Sequence, residues 1–319
     1  METVVDKPGD SLPAESSPLI LKVIMLGDVV GNPGLEALEA LLPGLIREYA
    51  ADFVTANGEN AADGFGLTRE TLERILAAGV DVVTSGNHVW EKRDFWQTLD
   101  TETRILRPAN YPQGAVGRGW VRIEKAPPGG SGVPVPWIVI NLQGRELMPL
   151  IDCPFRKFDA ILNGGVLAVP VEGSPYTVSA EQSPYTPPEA RTEGSKTGEV
   201  PIILVDFHAE SSREKEALGF YLDGRAGLVA GTHTHIQTAD ERILPLGTAY
   251  ITDLGMTGVT NSIIGMDTKI CLDRARTQIL YRMECAGISD GQRAALQGVV
   301  AEIDGATGRA VSIRRIHTS

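Results

Sequence analysis

Cysteine is scarce and poorly placed for cross-linking: Cys153, Cys271 and Cys285 are odd in number, far apart and contain no C-x-x-C pair. That excludes a disulfide framework and a zinc ribbon, and a reducing cytoplasm is the expected compartment. Basic residues are also outnumbered, 29 Lys and Arg against 41 Asp and Glu, giving a net charge of -12. A general grip on long nucleic acid needs clustered cations that displace counterions from phosphates, so none is expected. No apolar run approaches the roughly 20 residues that cross a bilayer. Residues 1–18 lack the basic start and apolar core of a secretory signal and read as a flexible extension.

What is present is enough apolar material for a large core, 42% hydrophobic residues in a chain of 319. Short apolar runs at Leu21 to Leu26, Phe53 to Ala56 and Val80 to Thr84 read as strands separated by helical patterns. Asn32 is placed to cap the first helix with Pro33 at its first position. Leu35, Leu38, Leu42, Leu45 and Tyr49 recur at steps of three and four, and Pro43-Gly44 is expected to kink that helix. Thr68 opens a second helix that Gly79 ends. This βαβαβ order predicts an α/β fold with helices laid over a parallel sheet.

Further strands are expected at Val121 to Lys125, Trp137 to Leu142, Ile202 to Val205 and Leu228 to Ala230. A terminal hairpin should join Val299 to Ile303 with Ala310 to Ile316 across Asp304 to Gly308. Residues from about 163 to 199 are rich in Gly, Pro, Ser, Thr and Glu, which predicts a mobile insertion, a surface excursion or a lid. The expected organisation is one domain over 19–319, because the strands on either side of the insertion carry ligand-type residues that must share one sheet.

Those residues follow the apolar runs directly. Asp28, Glu59-Asn60, Asn87-His88, His208, and His233 with His235 each stand just past a predicted strand. In open α/β sheets, groups at the carboxyl ends of strands converge on one crevice, so residues distant in sequence can form one site. Asp, Glu, Asn and His together offer oxygen and imidazole nitrogen, suiting Mn, Fe or Zn better than calcium. His233 and His235 would point to one side of an extended segment. Taken singly, each has an ordinary alternative: a turn carboxylate for Asp28, a core hydrogen bond for any one histidine, a braced turn for Asn60 or Asn87.

In order along the chain, GDVVG, NGENAA, GNHVW, DFHAE and GTHTH resemble the blocks of the calcineurin-like metallophosphoesterases. More narrowly, the stretch from about Leu21 to Ile316 resembles the bacterial YmdB-like branch, through RPANYP, INLQGR, DGRAG, QTAD and ITDLGMTG as well. The first block departs from the wider D-x-H pattern, because Val29 and Val30 follow Asp28. Glu59 also stands where the superfamily usually places a bridging Asp.

The resemblance implies a sandwich of two central β-sheets flanked by helices. It further implies two transition-metal ions, Fe or Mn before Zn. The first would be held by Asp28, Glu59, Asn60 and His235, the second by Glu59, Asn87, His208 and His233, with Glu59 bridging. Cations about 3.5 to 4 Å apart lower the pKa of a bridging water, whose hydroxide would attack phosphorus. His88, beside a ligand but outside the set, would protonate the leaving oxygen or hold the phosphate.

The implied reaction is hydrolysis of small cyclic nucleotides, 2',3' and in second place 3',5'. Phosphomonoesterase, nuclease and non-catalytic scaffold readings stay open, as does a homo-oligomer. Arg107, Asn110, Gln143, Arg145 and Arg225 are candidates for substrate or ligand support, or for ordinary structural bonds. Asp206 and Asp253 are candidates for orienting a ligand imidazole. Trp90 and Tyr111 would stack on a base or pack into the core.

Overall fold

The computed structural model describes residues 19–127, 134–163, 200–288 and 293–319, with 169–171 and 174–177 as backbone alone. The extension at 1–18 and most of the predicted insertion at 163–199 therefore lie outside the described residues.

Two sheets dominate. The first carries β2 (Asp28–Val29), β13 (Met256–Val259), β14 (Ala294–Asp304), β1 (Ile20–Leu26), β3 (Phe53–Asn57) and β4 (Val82–Thr84), with β15 (Ala310–Thr318) also on β14. The second carries β11 (Arg242–Ile243), β12 (Ala249–Ile251), β10 (Leu228–Thr232), β9 (Ile202–His208), β6 (Val135–Gln143) and β5 (Trp120–Lys125). A separate pair, β7 (Val169–Val171) and β8 (Ser174–Thr177), is all that is described of the insertion. The helices are α1 (Gly31–Tyr49), α2 (Arg69–Ala77), α3 (Trp96–Thr101), α4 (Pro154–Leu162), α5 (Ser212–Tyr221) and α6 (Thr268–Thr277).

Burial on both faces explains why the strands read as unbroken apolar runs. In β1, Leu21, Val23 and Met25 face the second sheet, whereas Ile24 and Leu26 pack under α1 and α2. In β6 the split repeats: Trp137 and Val139 face the first sheet, and Ile138, Ile140 and Leu142 lie under α4 and α5. Phe53 and Trp137 stack between the sheets with centroids 4.6 Å apart at 15°. Truncating a buried ring of this size to alanine costs about 3–5 kcal/mol, so this stack is a main tie between the layers. The arrangement is the two-sheet sandwich flanked by helices that the resemblance implied.

Several expectations are corrected. The ligand-type residues do not share one sheet: Asp28 opens β2 and Glu59 and Asn87 follow β3 and β4 of the first, whereas His208 closes β9 and His233 follows β10 of the second. Nor is the first sheet all parallel, because β1 pairs with β3 in parallel but with β14 antiparallel. Helix α1 begins at Gly31 with Val30 as its cap, and Asn32 bonds instead to Glu36 Oε1 at 2.6 Å. Pro43 lies inside this helix, as the sequence placed it. Thr68 does cap α2, through a reciprocal bond with Thr71.

Candidate metal centre

Strands β1, β3 and β4 run in parallel, as do β6, β9 and β10, so each sheet presents its downstream ends along one edge. The two edges meet at the site. Asp28, Glu59, Asn60, His208 and His235 are buried there, with Asn87 and His233 half-buried at the mouth.

Four donor atoms surround one point. His208 Nε2 lies 2.9 Å from Glu59 Oε1, 3.1 Å from Asn87 Oδ1 and 3.0 Å from His233 Nδ1. Glu59, His208 and His233 satisfy the spacing of a cation site, their ligand atoms lying within 4.8 Å of one another. Beside them, Asp28 Oδ1 sits 3.8 Å from His235 Nε2 and 3.9 Å from His208 Nδ1. Asp28 Oδ1 and Asn60 Oδ1 are both buried without a hydrogen-bond partner. Buried oxygens are rarely left so, and carboxylate and amide oxygens are atom types that a cation accepts as ligands. The residues present thus fit a bound metal cation at the cluster of Glu59, His208 and His233.

The charges fit as well. Burial pushes the Asp28 carboxyl up to about 6, partly offset by His235 and His208. Burial works against Glu59 too, but the adjacent His208 charge and the His88 backbone N–H, 3.1 Å from Oε2, hold it down at about 2. Burial alone would lower His208, yet Glu59, Asp28 and Asp206 hold it up at about 9. His233 is pushed down to about 3 by burial and then by the His208 charge. The buried carboxylates thus favour positive charge at His208, where burial alone would oppose it.

Backbone geometry completes the placement. His233 and His235 are not in an extended segment; both have left-handed backbone, with φ of 100° and 63°. Such strain, of order 1–3 kcal/mol for each residue, persists only where surrounding bonds enforce it. It sends the His233 ring toward His208 and the His235 ring toward Asp28. Gly86 approaches so closely that a Cβ there would overlap His208 Cδ2, His208 Nε2 and Glu59 Oε2. Gly86→Ala is expected to expel bound cation while costing only about 1–3 kcal/mol in stability. Elemental analysis beside a thermal melt checks this, and full metal occupancy in the variant would contradict it.

Residues 24–171 and 163–316 match the YmdB-like protein family. The chain belongs to that family. A 2',3'-cyclic-nucleotide 2'-phosphodiesterase of Bacillus subtilis (strain 168) is 40% identical over 296 residues, spanning 93% of this chain and 96% of that one. Among solved structures, a hypothetical protein from Thermus thermophilus has a TM-score of 0.74 at 35% identity, over 93% and 98% of the two chains. A novel phosphatase from Mycoplasma pneumoniae has a TM-score of 0.75 at 28% identity, over 94% of each.

The remaining sequence candidates of this YmdB-like protein fall at differing distances from the centre. His88 stands at its mouth, with Nδ1 3.3 Å from Glu91 Oε1 and its ring edge-on to Phe65. Gln143 is fully buried at the end of β6, opposite His208 in register, and accepts from Tyr111 Oη at 3.2 Å. Tyr111 in turn packs edge-on against Trp90, centroids 4.4 Å apart. Asn110 ties Gln143 to the chain at Asp152. Arg107 bonds backbone oxygens of Pro108 and Ala115, and Arg225 pairs with Asp159 at 2.5 Å under the outer helices. Arg145 borders a cavity of about 440 Å³ with Arg213, Leu150 and Phe155.

Neither Asp206 nor Asp253 touches a ligand imidazole directly. Asp206 accepts from Thr84 Oγ1, from Thr232 Oγ1 at 2.7 Å and from Asn57 Nδ2 at 3.1 Å. Because the Thr232 hydroxyl donates to Asp206, its oxygen accepts from His208 Nδ1 at 3.0 Å, leaving Nε2 to face the centre. Asp253 holds the loop between the histidines, through Thr234 N at 3.2 Å and Thr234 Oγ1 at 2.7 Å. Sequence reasoning missed Asn57, Thr84 and Thr232. The available signal was a polar residue closing each of three mostly apolar strands, β3, β4 and β10.

No helix among the described residues is long and apolar enough to cross a membrane.

Proposed function

We propose that this chain is a phosphodiesterase that hydrolyses small cyclic nucleotides, 2',3'-cyclic species first and 3',5'-cyclic species second, at a two-metal centre. The observation that carries the reading is the pair of unsatisfied buried oxygens, on Asp28 and Asn60, beside the cluster of Glu59, Asn87, His208 and His233. The substrate class comes from the relative in Bacillus subtilis, named a 2',3'-cyclic-nucleotide 2'-phosphodiesterase.

Asp28, Glu59, Asn60 and His235 would hold one cation, and Glu59, Asn87, His208 and His233 the other. When bound, such a pair lowers the pKa of a water and offsets charge on the phosphate oxygens. The chain's own residues supply the rest. Glu59 would be shared by both cations, and its backbone is fixed by Asn57 Oδ1, which accepts from Glu59 N at 3.0 Å. His88 directs Nδ1 at Glu91, so the imidazolium form of the ring would give its Nε2 proton to the departing sugar oxygen as the bond to phosphorus breaks, leaving the neutral ring with its remaining proton on Nδ1 toward Glu91. The Thr232 contact and the Ile264 carbonyl, 2.8 Å from His235 Nδ1, hold two ligand rings in the tautomer that faces inward.

His88→Ala is expected to lower turnover by about 10²- to 10⁴-fold with both cations retained. Steady-state kinetics beside elemental analysis separates the roles, since loss of metal would make His88 a ligand instead. The reading as a whole is tested by offering purified protein 2',3'- and 3',5'-cyclic nucleotides, aryl phosphates and short RNA. Fastest turnover on 2',3'-cyclic nucleotides is expected. Two metal equivalents with no hydrolysis of any phosphoester would favour a scaffold.

A further inference from the structure

Each of the three histidines at the centre has one nitrogen toward the donor cluster and one outward. For His208 the outward Nδ1 is bonded to buried Thr232, and for His235 the outward Nδ1 donates to the Ile264 carbonyl. Both partners are neutral and belong to the framework. His233 differs. Its outward Nε2 lies 3.2 Å from Glu210 Oε2, a carboxylate whose side chain is 46% exposed.

From this we infer that Glu210 is the positioning residue for the outer cation site, its carboxylate accepting the Nε2 proton of His233 and so turning Nδ1 toward the cluster. An ionised carboxylate only accepts, so the hydrogen on that pair belongs to His233 Nε2. The lone pair then falls on Nδ1, the atom 3.0 Å from His208 Nε2. Glu210 is the partner on the outward side and His208 the neighbour on the inward side, while the His233 backbone N–H bonds to Asp28 Oδ2 at 3.2 Å and orients the loop, not the imidazole. The chain arranges the placement simply. Asp206, His208 and Glu210 occupy alternate positions running out of β9, so one short segment delivers the buried network, a ligand and the outward acceptor.

Carboxylate partners of ligand histidines fix ring orientation and raise basicity, and losing one typically costs 10- to 100-fold in metal affinity. Here the acceptor is a partly exposed side chain at the mouth, so the outer site should be held more loosely than the inner. The inference rests on the two-cation reading.

The test is titration of metal-free full-length protein with Mn²⁺, followed by calorimetry, on wild type, Glu210→Ala, Glu210→Gln and Glu216→Gln. Glu210→Ala is expected to weaken one of two binding events by about 10- to 100-fold, leaving the other event and the melting temperature unchanged. Glu210→Gln keeps an acceptor oxygen and should recover most of the lost affinity. Glu216→Gln removes the same charge from a neighbouring position bonded to Arg242 and should bind like wild type. Two wild-type events with both unchanged in Glu210→Ala would overturn the role of Glu210 alone. An equal loss in Glu216→Gln would reduce it to surface charge, and a wild type with no second event would overturn the two-cation reading as well.

Discussion

Glu59→Ala should leave a folded protein that retains less than one equivalent of metal and hydrolyses cyclic nucleotides more than about 10³-fold more slowly. The size follows from position. A single positioned electrostatic group in an active site is worth about 10²- to 10³-fold, and Glu59 serves both halves of the proposed centre. Its side chain is 1% exposed, with one oxygen against His208 and the other accepting from the His88 backbone. Glu59→Gln is the companion variant, since it keeps volume and an acceptor oxygen while removing the charge that makes a bridge. Both should lose metal, as read by elemental analysis. Two full equivalents in Glu59→Ala would show that the cations are held elsewhere.

Lys215→Met should lower stability by about 3–5 kcal/mol, because it leaves Asp253 as an uncompensated charge in the interior. Lys215 Nζ and Asp253 Oδ2 are 2.7 Å apart, each side chain 1% exposed. For a chain of this size the loss corresponds to roughly 5–15 °C in melting temperature. The consequence reaches the centre, because the same carboxylate holds Thr234 between His233 and His235. Those two histidines keep left-handed backbone only while that loop is clamped. Metal affinity should therefore fall together with stability. The double variant Lys215→Met/Asp253→Asn keeps the acceptor for Thr234, removes both charges and should recover most of the melting temperature. Calorimetric melts check this, and a single variant that melts like wild type would contradict it.

The sequence carried the strands well because a strand buried on both faces is a continuous apolar run, and the run ends where the ligand-type residue begins. Leu21 to Leu26 before Asp28 is one case, and Phe53 to Ala56 before Glu59 is another. It did not reveal that the candidate ligands come from two different sheets, since an apolar run does not record which neighbour it pairs with. Only the resemblance supplied the sandwich.

Helix starts were legible where a side chain does the capping, as at Thr68. They were misread where the backbone does it. Val30 N bonds Thr257 O, and Gly31 N bonds Asn60 O, fixing the entry of α1 before Asn32 is reached. The network of Asn57, Thr84 and Thr232 under His208 escaped notice because those residue types are also ordinary strand ends. Glu210 was hidden in plain view within DFHAE, an exposed acid whose partner, His233, lies in a later block of the chain. In the same way the sequence did not show the partners of Asp206 and Asp253, which include Thr84, Thr232 and Asn57 for the first and Lys215 and Thr234 for the second.

The most direct test of the two-cation centre is anomalous diffraction from crystals of this protein grown with manganese. Two anomalous peaks about 3.5 to 4 Å apart, one beside Asp28, Asn60 and His235 and one beside Asn87, His208 and His233, with Glu59 between them, are the predicted result. A single peak, or none between these side chains in manganese-saturated crystals, would contradict it.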